Sequence, residues 1–138
     1  ADDDRANVYT DPAEAARFVA DTGIDALAAS VGTVHGFYKA EPKLDFDRIA
    51  ELRRVCGVPL VMHGGSGLSR EDTRAAIAAG IRKINYFSYM SNAGVRAVEA
   101  LIAEKRPKYF HALANAATEA MQADAEAAME MFSMVPTA

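Results

Sequence analysis

The 138 residues predict an α/β fold built on a parallel sheet. Three times along the chain, a short apolar segment is followed by a polar or glycine-rich turn and then by a helical pattern. Consecutive parallel strands require such crossover connections, which are nearly always right-handed. Ligands of these sheets bind at the carboxyl ends of the strands, so the turns that follow the strands are the candidate sites.

Helix caps and apolar periodicity outline the elements. Asp11 is a typical N-cap, Pro12 suits the first helical position, and Gly23 and Gly57 are typical helix stops. The predicted elements are, in order, a loop tail over 1–10, a helix from Pro12 to Asp21, a strand over 24–31, a loop over 32–39, a helix over 45–55, a strand over 58–62, a helix over 73–79, a strand over 81–88 and helices over 90–105 and 111–132.

The composition excludes several classes of partner. The net charge is -4 and no basic stripe occurs, which argues against nucleic acid. No apolar run approaches the roughly 20 residues of a membrane span, and the acidic start does not resemble a signal peptide. We therefore expect a cytoplasmic protein that binds neither nucleic acid nor membrane. Cys56 is the single cysteine, and its place before Gly57 predicts a small buried apolar residue.

The last helical segment is rich in alanine and methionine. Its small apolar residues recur near one stripe, which predicts close packing on another helix. The residues of the stripe are Ala114, Ala117, Met121, Ala125, Ala128 and Phe132. The methionines are interpreted as core residues. His111, at the start of this segment, is interpreted as structural because it lies far from any strand end.

The stretch from Val58 to Ser69 is the main candidate site. An apolar strand stops at His63, and the glycine-rich segment 64–67 follows, with backbone donors that an anion could approach and a hydroxyl at Ser66. Ser69 and Asp72 have the spacing of a capping box, so a helix N-terminus would point back toward the turn. This arrangement suits a phosphate beside a metal or a general base. An ordinary strand-to-helix turn with a buried histidine is the alternative.

His35 and His63 each follow a predicted strand, one strand–helix repeat apart, and the end of the third strand carries Asn85 and Ser88. Neighbouring parallel strands would therefore bring both imidazoles to one edge of the sheet. Two imidazoles beside an anion-binding turn are what a catalytic zinc next to a phosphorylated substrate would require.

Four segments in this order and spacing resemble the C-terminal half of the class II, zinc-dependent fructose- or tagatose-bisphosphate aldolases. They are Gly32-Thr33-Val34-His35-Gly36 with Tyr38-Lys39 and Pro42 to Phe46, Pro59 to Gly67, Ala76 to Asn85, and the terminal helix. The family folds as a (β/α)₈ barrel, which needs about 250 residues. The resemblance thus implies that 1–138 is the C-terminal half, with strand–helix units over 11–105 and a terminal helix over 108–132.

The resemblance also implies the roles of individual residues. His35 and His63 would be two of three zinc-binding histidines, and Asn85 would hold the enediolate formed during catalysis. The implied substrate-binding residues are Gly36, Lys39, Gly64, Gly65, Ser66, Asn85 and Ser88, with Ser88 standing where the family usually has a threonine. A monovalent cation, Na⁺ or K⁺, often binds near the phosphate in this family.

The implied reaction is reversible cleavage of a phosphorylated ketose, such as fructose or tagatose 1,6-bisphosphate, to dihydroxyacetone phosphate and an aldehyde. The third zinc histidine and the acidic proton donor belong to the N-terminal half, so the isolated 138 residues are expected to be inactive. Homodimers or homotetramers are usual in the family. Tyr86-Phe87-Ser88 replaces smaller or acidic residues after Asn85, which leaves the choice of sugar open.

Two other functions remain open at this point. A non-catalytic barrel subunit that stabilises an aldolase could use the alanine-rich helix as its contact surface. A phosphosugar isomerase or epimerase would share the glycine turn without needing two histidines. Bound zinc distinguishes the aldolase from both.

Overall fold

The computed structural model describes residues 9–33 and 42–134. Its elements are α1 (Pro12–Thr22), β1 (Leu27–Ala28), α2 (Phe46–Cys56), β2 (Leu60–Met62), α3 (Arg70–Ala79), β3 (Ile81–Ile84), α4 (Ser88–Lys105) and α5 (Phe110–Phe132). The chain divides into two compact units, Ala1–Asn85 and Tyr86–Ala138. The predicted α/β class is confirmed.

The first unit contains a three-stranded parallel sheet in the order β1-β2-β3. Leu27 of β1 lies opposite Leu60 of β2, which lies opposite Ile81 of β3. The register shifts between Leu60 and Val61, so that Val61 lies opposite Lys83. Because all three strands run in one direction, the residues that follow β2 and β3 lie at the same edge of the sheet.

The core of this unit lies between the sheet and its helices. Ile49 and Leu52 of α2 are completely buried. The other large side chains that are fully buried are Val31, Leu60, Met62, Thr73 and Ile81. Cys56 is buried at the end of α2, as predicted, and burial raises the pKa of its thiol, so it is a packing residue.

Capping residues set the ends of the first two helices, and Asp11, Gly23 and Gly57 were predicted to do so. The backbone N–H of Arg48 donates to the Asp45 carboxylate at 2.9 Å, and this bond holds the pKa of Asp45 below its usual value, although desolvation opposes it. Asp11 caps α1 in the same way. Gly23 (φ 65°) and Gly57 (φ 70°) end α1 and α2 in the left-handed conformation that glycine adopts without strain.

β1 is shorter than the predicted strand over 24–31. The backbone N–H of Thr10 donates to the Ser30 carbonyl at 2.8 Å, and the Ser30 N–H donates to the Thr10 hydroxyl at 2.9 Å. The end of the predicted strand therefore bonds to the segment before α1, and only two residues pair with β2. Apolar periodicity cannot distinguish these two partners.

The predicted strand over 81–88 is wrong in its second half. The Asn85 N–H donates to the Met62 carbonyl at 2.9 Å and continues the pattern of β3 by one residue. The Ser91 N–H then donates to the Phe87 carbonyl at 2.8 Å, so the chain is already helical where the strand was expected. Asn85 consequently lies at the end of a strand, as predicted, but Ser88 begins a helix.

The second unit pairs α4 with α5 at close range. A Cβ atom on Gly94 of α4 would lie 3.0 Å from Met121 Cγ and 3.5 Å from the Ala117 carbonyl oxygen of α5. The prediction that the alanine- and methionine-rich segment packs closely on another helix is confirmed. α4 ends at Lys105, and its C-cap Arg106 (φ 43°) precedes Pro107, between the helices that were predicted over 90–105 and 111–132. Among the helices of 9–33 and 42–134, none is long and apolar enough to cross a membrane.

Tyr86 and Asp124 are linked within the second unit. The Tyr86 hydroxyl donates to Asp124 Oδ1 at 2.6 Å, and the Tyr86 ring packs edge-on against Phe132 at 5.9 Å between centroids. Desolvation first, and then the Asp124 carboxylate, raise the pKa of Tyr86 well above its ordinary value near 10. The fold therefore favours the neutral phenol.

Tyr86→Phe should lower the free energy of unfolding by about 1–2 kcal/mol, since it removes a hydrogen bond to a carboxylate. Because the folded-state pKa of Tyr86 is raised, its contribution is complete below pH ~10 and is lost as the pH rises further. Urea unfolding at pH 8 and pH 10.5 should show the wild type losing more stability on alkalinisation than the variant. Tyr109→Phe, at an exposed ring, is the control. An equal alkaline loss in wild type and Tyr86→Phe would contradict the assignment.

Candidate active site

His63 lies directly after β2, as predicted. The three residues of β2 are buried, whereas the His63 side chain is exposed. The buried strand therefore holds the backbone that leads into His63. The imidazole lies at the carboxyl edge of the sheet, where α/β proteins bind ligands.

The glycine turn after His63 has the conformation that its sequence predicts. Gly64 (φ 68°) and Gly67 (φ 84°) lie in the left-handed region, and Gly65 and Ser66 are buried. α3 begins at Arg70, earlier than the predicted Thr73, because the Ser69 hydroxyl accepts the Asp72 N–H at 3.0 Å. The predicted cap is confirmed, and the N-terminus of α3 follows the turn closely.

Two backbone hydrogen bonds join this turn to the end of β3. The Asn85 N–H donates to the Met62 carbonyl at 2.9 Å, and the Gly65 N–H donates to the Asn85 carbonyl at 3.3 Å. Gly65 must be glycine for this approach, since a Cβ there would lie 2.3 Å from Ile84 Cγ2. The residues on either side of His63 are thus bonded to Asn85.

The side chains of His63 and Asn85 also meet. Asn85 Nδ2 lies 3.1 Å from both ring nitrogens of His63. A neutral imidazole has one acceptor nitrogen, so the amide N–H can donate to one of the two at a time. The contact shows that these two predicted site residues are neighbours.

Lys83 joins the same cluster, although its sequence pattern predicted no role for it. Its ammonium group donates a hydrogen bond to Asn85 Oδ1. Lys83 and Asn85 are two positions apart on an extended segment, so their side chains lie on one face of it. That spacing is the sequence signal that could have identified Lys83.

The structure brings only part of the predicted site together. His35, Gly36 and Lys39 lie outside the described residues. Ser88 is the first residue of α4 and belongs to the second unit. His111 is exposed, and its ring stacks on Tyr109 at 5.8 Å between centroids.

Of the two histidines that the sequence predicts as zinc ligands, His63 lies within the described residues. Within 9–33 and 42–134, no group of three or more His, Cys, Asp or Glu side chains could hold a metal ion. An exposed imidazole at a strand end is a suitable nitrogen donor for zinc. The donor chemistry of His63 therefore fits one ligand of a zinc site, and the remaining ligands must come from other residues.

A parallel sheet with a histidine and an asparagine at the ends of adjacent strands places the chain among α/β proteins with a strand-end site. More specifically, the chain belongs to the class-II fructose-bisphosphate aldolase family, whose model matches residues 1–135. The sequence-based identification of the family is thus confirmed.

Solved structures agree with this membership. The YdjI aldolase of Escherichia coli K12 is 37% identical, with a TM-score of 0.77, over 90% of this chain and 46% of that one. A putative fructose-1,6-biphosphate aldolase of Coccidioides immitis is 32% identical, with a TM-score of 0.77, over 91% of this chain and 43% of that one. The fructose-bisphosphate aldolase of Campylobacter jejuni shares the fold at 22% identity and a TM-score of 0.77, over 96% of this chain and 47% of that one. The chain spans about half the length of these proteins.

Proposed function

We propose that the complete protein containing these residues is a zinc-dependent aldolase of phosphorylated ketoses. It would reversibly cleave a substrate such as fructose or tagatose 1,6-bisphosphate to dihydroxyacetone phosphate and an aldehyde. The observation that carries this proposal is the contact between His63 and Asn85 at the carboxyl ends of adjacent parallel strands, beside a glycine turn. Family membership supports the same reaction.

His63, together with His35, would hold the zinc ion. When bound, zinc supplies a Lewis acid that polarises the ketose carbonyl and favours the negative charge that develops on its oxygen. Asn85 would donate an amide N–H to that oxygen, which is the kind of fixed dipole that stabilises developing charge. The backbone N–H and carbonyl of Asn85 are bonded to Met62 and Gly65, so the main chain that carries this donor is held in place before substrate arrives.

The turn over 64–67 would receive the substrate phosphate. It carries three glycines and lies just before the N-terminus of α3, whose dipole favours an anion. Gly36, Lys39 and Ser88 would complete the phosphate site, with Na⁺ or K⁺ near it. Proton transfer to and from substrate is assigned to an acidic group in the other half of the barrel.

This proposal includes the architecture of the complete protein. The chain would form the C-terminal part of a (β/α)₈ barrel, since it matches about half of each neighbouring structure. The complete protein would be a cytoplasmic homodimer or homotetramer.

Removal of zinc from the complete protein should abolish cleavage of the ketose bisphosphate. The assay measures dihydroxyacetone phosphate formed from fructose or tagatose 1,6-bisphosphate, before and after treatment with a chelator. We expect activity to fall on the order of 10²-fold or more, because Lewis-acid catalysis is worth several kcal/mol, and to return when zinc is added. Unchanged activity in metal-free protein, or failure to form dihydroxyacetone phosphate from either sugar, would contradict the proposal.

A further inference from the structure

We infer that Lys83 is a positioning residue that sets the orientation of the Asn85 side-chain amide. The inference rests on the proposed function, because Asn85 is there the donor to the reacting oxygen. The juxtaposition that carries it is a line of three side chains, Lys83, Asn85 and His63, joined by polar contacts across the ends of β2 and β3.

The chemistry of the lysine determines which way the amide faces. An ammonium group only donates hydrogen bonds, so the Asn85 atom that faces Lys83 has to be the carbonyl oxygen Oδ1. The donor Nδ2 must then face His63, where it lies 3.1 Å from each ring nitrogen. Without the lysine, the amide could rotate by half a turn and present an acceptor to the developing negative charge.

The positive charge of Lys83 also favours the role of the Asn85 amide as a hydrogen-bond donor. Its side chain is exposed, and among the described residues no carboxylate forms an ion pair with it. A hydrogen bond from a cation withdraws electron density from the amide oxygen and strengthens the amide N–H as a donor. Lys83 thus both orients the amide and increases its ability to stabilise an oxyanion.

The neighbouring cation on β3, Arg82, has different hydrogen-bond partners from Lys83. Arg82 lies on the same strand, but its guanidinium donates to the carbonyls of Ile77 and Ile81, both at 2.9 Å. Its side chain therefore bonds to backbone away from Asn85. Arg82→Met removes one positive charge from the strand, as Lys83→Met does, and serves as the matched control.

A double-mutant cycle on the complete protein tests the inference through activity. Lys83→Met should lower kcat about 10- to 100-fold, as loss of an outer-shell partner does, with a smaller change in KM. In an Asn85→Ala background, the same substitution should change kcat less than about twofold, because the residue it acts through is gone. Lys83→Arg should recover most of the lost kcat. Arg82→Met should keep the kcat of the wild type. Equal effects of Lys83→Met with and without Asn85 would overturn the inference.

A spectroscopic measurement separates this inference from the proposed function. In asparagine-labelled protein, the ¹⁵N side-chain amide signals of Asn85 are identified by their absence in Asn85→Ala. Lys83→Met should shift these signals and speed their hydrogen exchange, whereas Arg82→Met should leave them in place. Unmoved signals in Lys83→Met would overturn the inference even in an active aldolase. Shifted signals would support it even if the wild type cleaved neither sugar.

Discussion

Replacing Gly65 with alanine is expected to displace the turn over 64–67 and to lower aldolase activity strongly. The added methyl group would lie 2.3 Å from Ile84 Cγ2 and 3.3 Å from the Asn85 carbonyl oxygen. Ile84 Cγ2 is attached directly to Cβ, so it cannot swing away as the end of a long side chain would. The turn must therefore move off β3 and weaken the bond from the Gly65 N–H to Asn85.

We expect Gly65→Ala to lower the free energy of unfolding by about 1–3 kcal/mol, which is typical of overpacking. Activity should fall on the order of 10²-fold, since a shift of about 1 Å in a positioned group has such effects. Urea unfolding and ketose-bisphosphate cleavage by the complete protein measure the two quantities.

Two further variants identify the cause. Gly65→Ala with Ile84→Ala removes the clashing methyl and should recover part of the lost kcat. Gly23→Ala introduces a strained left-handed alanine at a position with open space around it, so it should cost stability of roughly 1 kcal/mol without affecting kcat. Wild-type activity in Gly65→Ala would show that the turn tolerates displacement and would contradict this account.

His63→Ala should have the largest effect on catalysis. It removes a proposed zinc ligand and the partner of the Asn85 amide at once. We expect kcat/KM for ketose-bisphosphate cleavage to fall on the order of 10³-fold, which corresponds to the several kcal/mol that a Lewis acid contributes. Zinc bound per chain, measured by elemental analysis after dialysis, should fall as well.

His111→Ala is the matched control, since His111 is also exposed but stacks on Tyr109. It should retain both zinc and activity. Because the His63 side chain is exposed, metal-free His63→Ala should have the thermal stability of the metal-free wild type, and loss of activity in a folded protein would then report on the site. A His63→Ala protein with undiminished zinc and kcat/KM would remove His63 from the proposed ligands.

Local sequence signals predicted the helices of the first unit well. Asp11 and Ser69 cap helices as predicted, and Asp45, which was predicted as the first residue of a helix, is the N-cap of that helix. A cap is recognisable in the sequence because its hydrogen bond spans only three residues. Strand lengths were less predictable. The bonding of Ser30 to Thr10, and the helical turn that begins after Asn85, both depend on which segments the tertiary fold brings together.

The same distinction applies to the site. His63 and Asn85 were predictable because each lies at the end of a predicted strand, and parallel strands place their ends at one edge. The contact of Tyr86 with Asp124 joins residues 38 positions apart, and no periodic pattern relates them. The role of Lys83 was hidden for another reason, since an exposed lysine on a strand usually needs no explanation beyond solvation.

The pair of backbone bonds that flank His63 has an entropic consequence. The Met62 carbonyl and the Gly65 N–H are both held by Asn85, so the main chain at His63 is restrained on each side. Only the two torsions of the imidazole side chain are left to be ordered when a ligand binds, at a cost of about 1 kcal/mol. Most of the conformational freedom that a loop histidine would lose on binding is thus already lost when the protein folds.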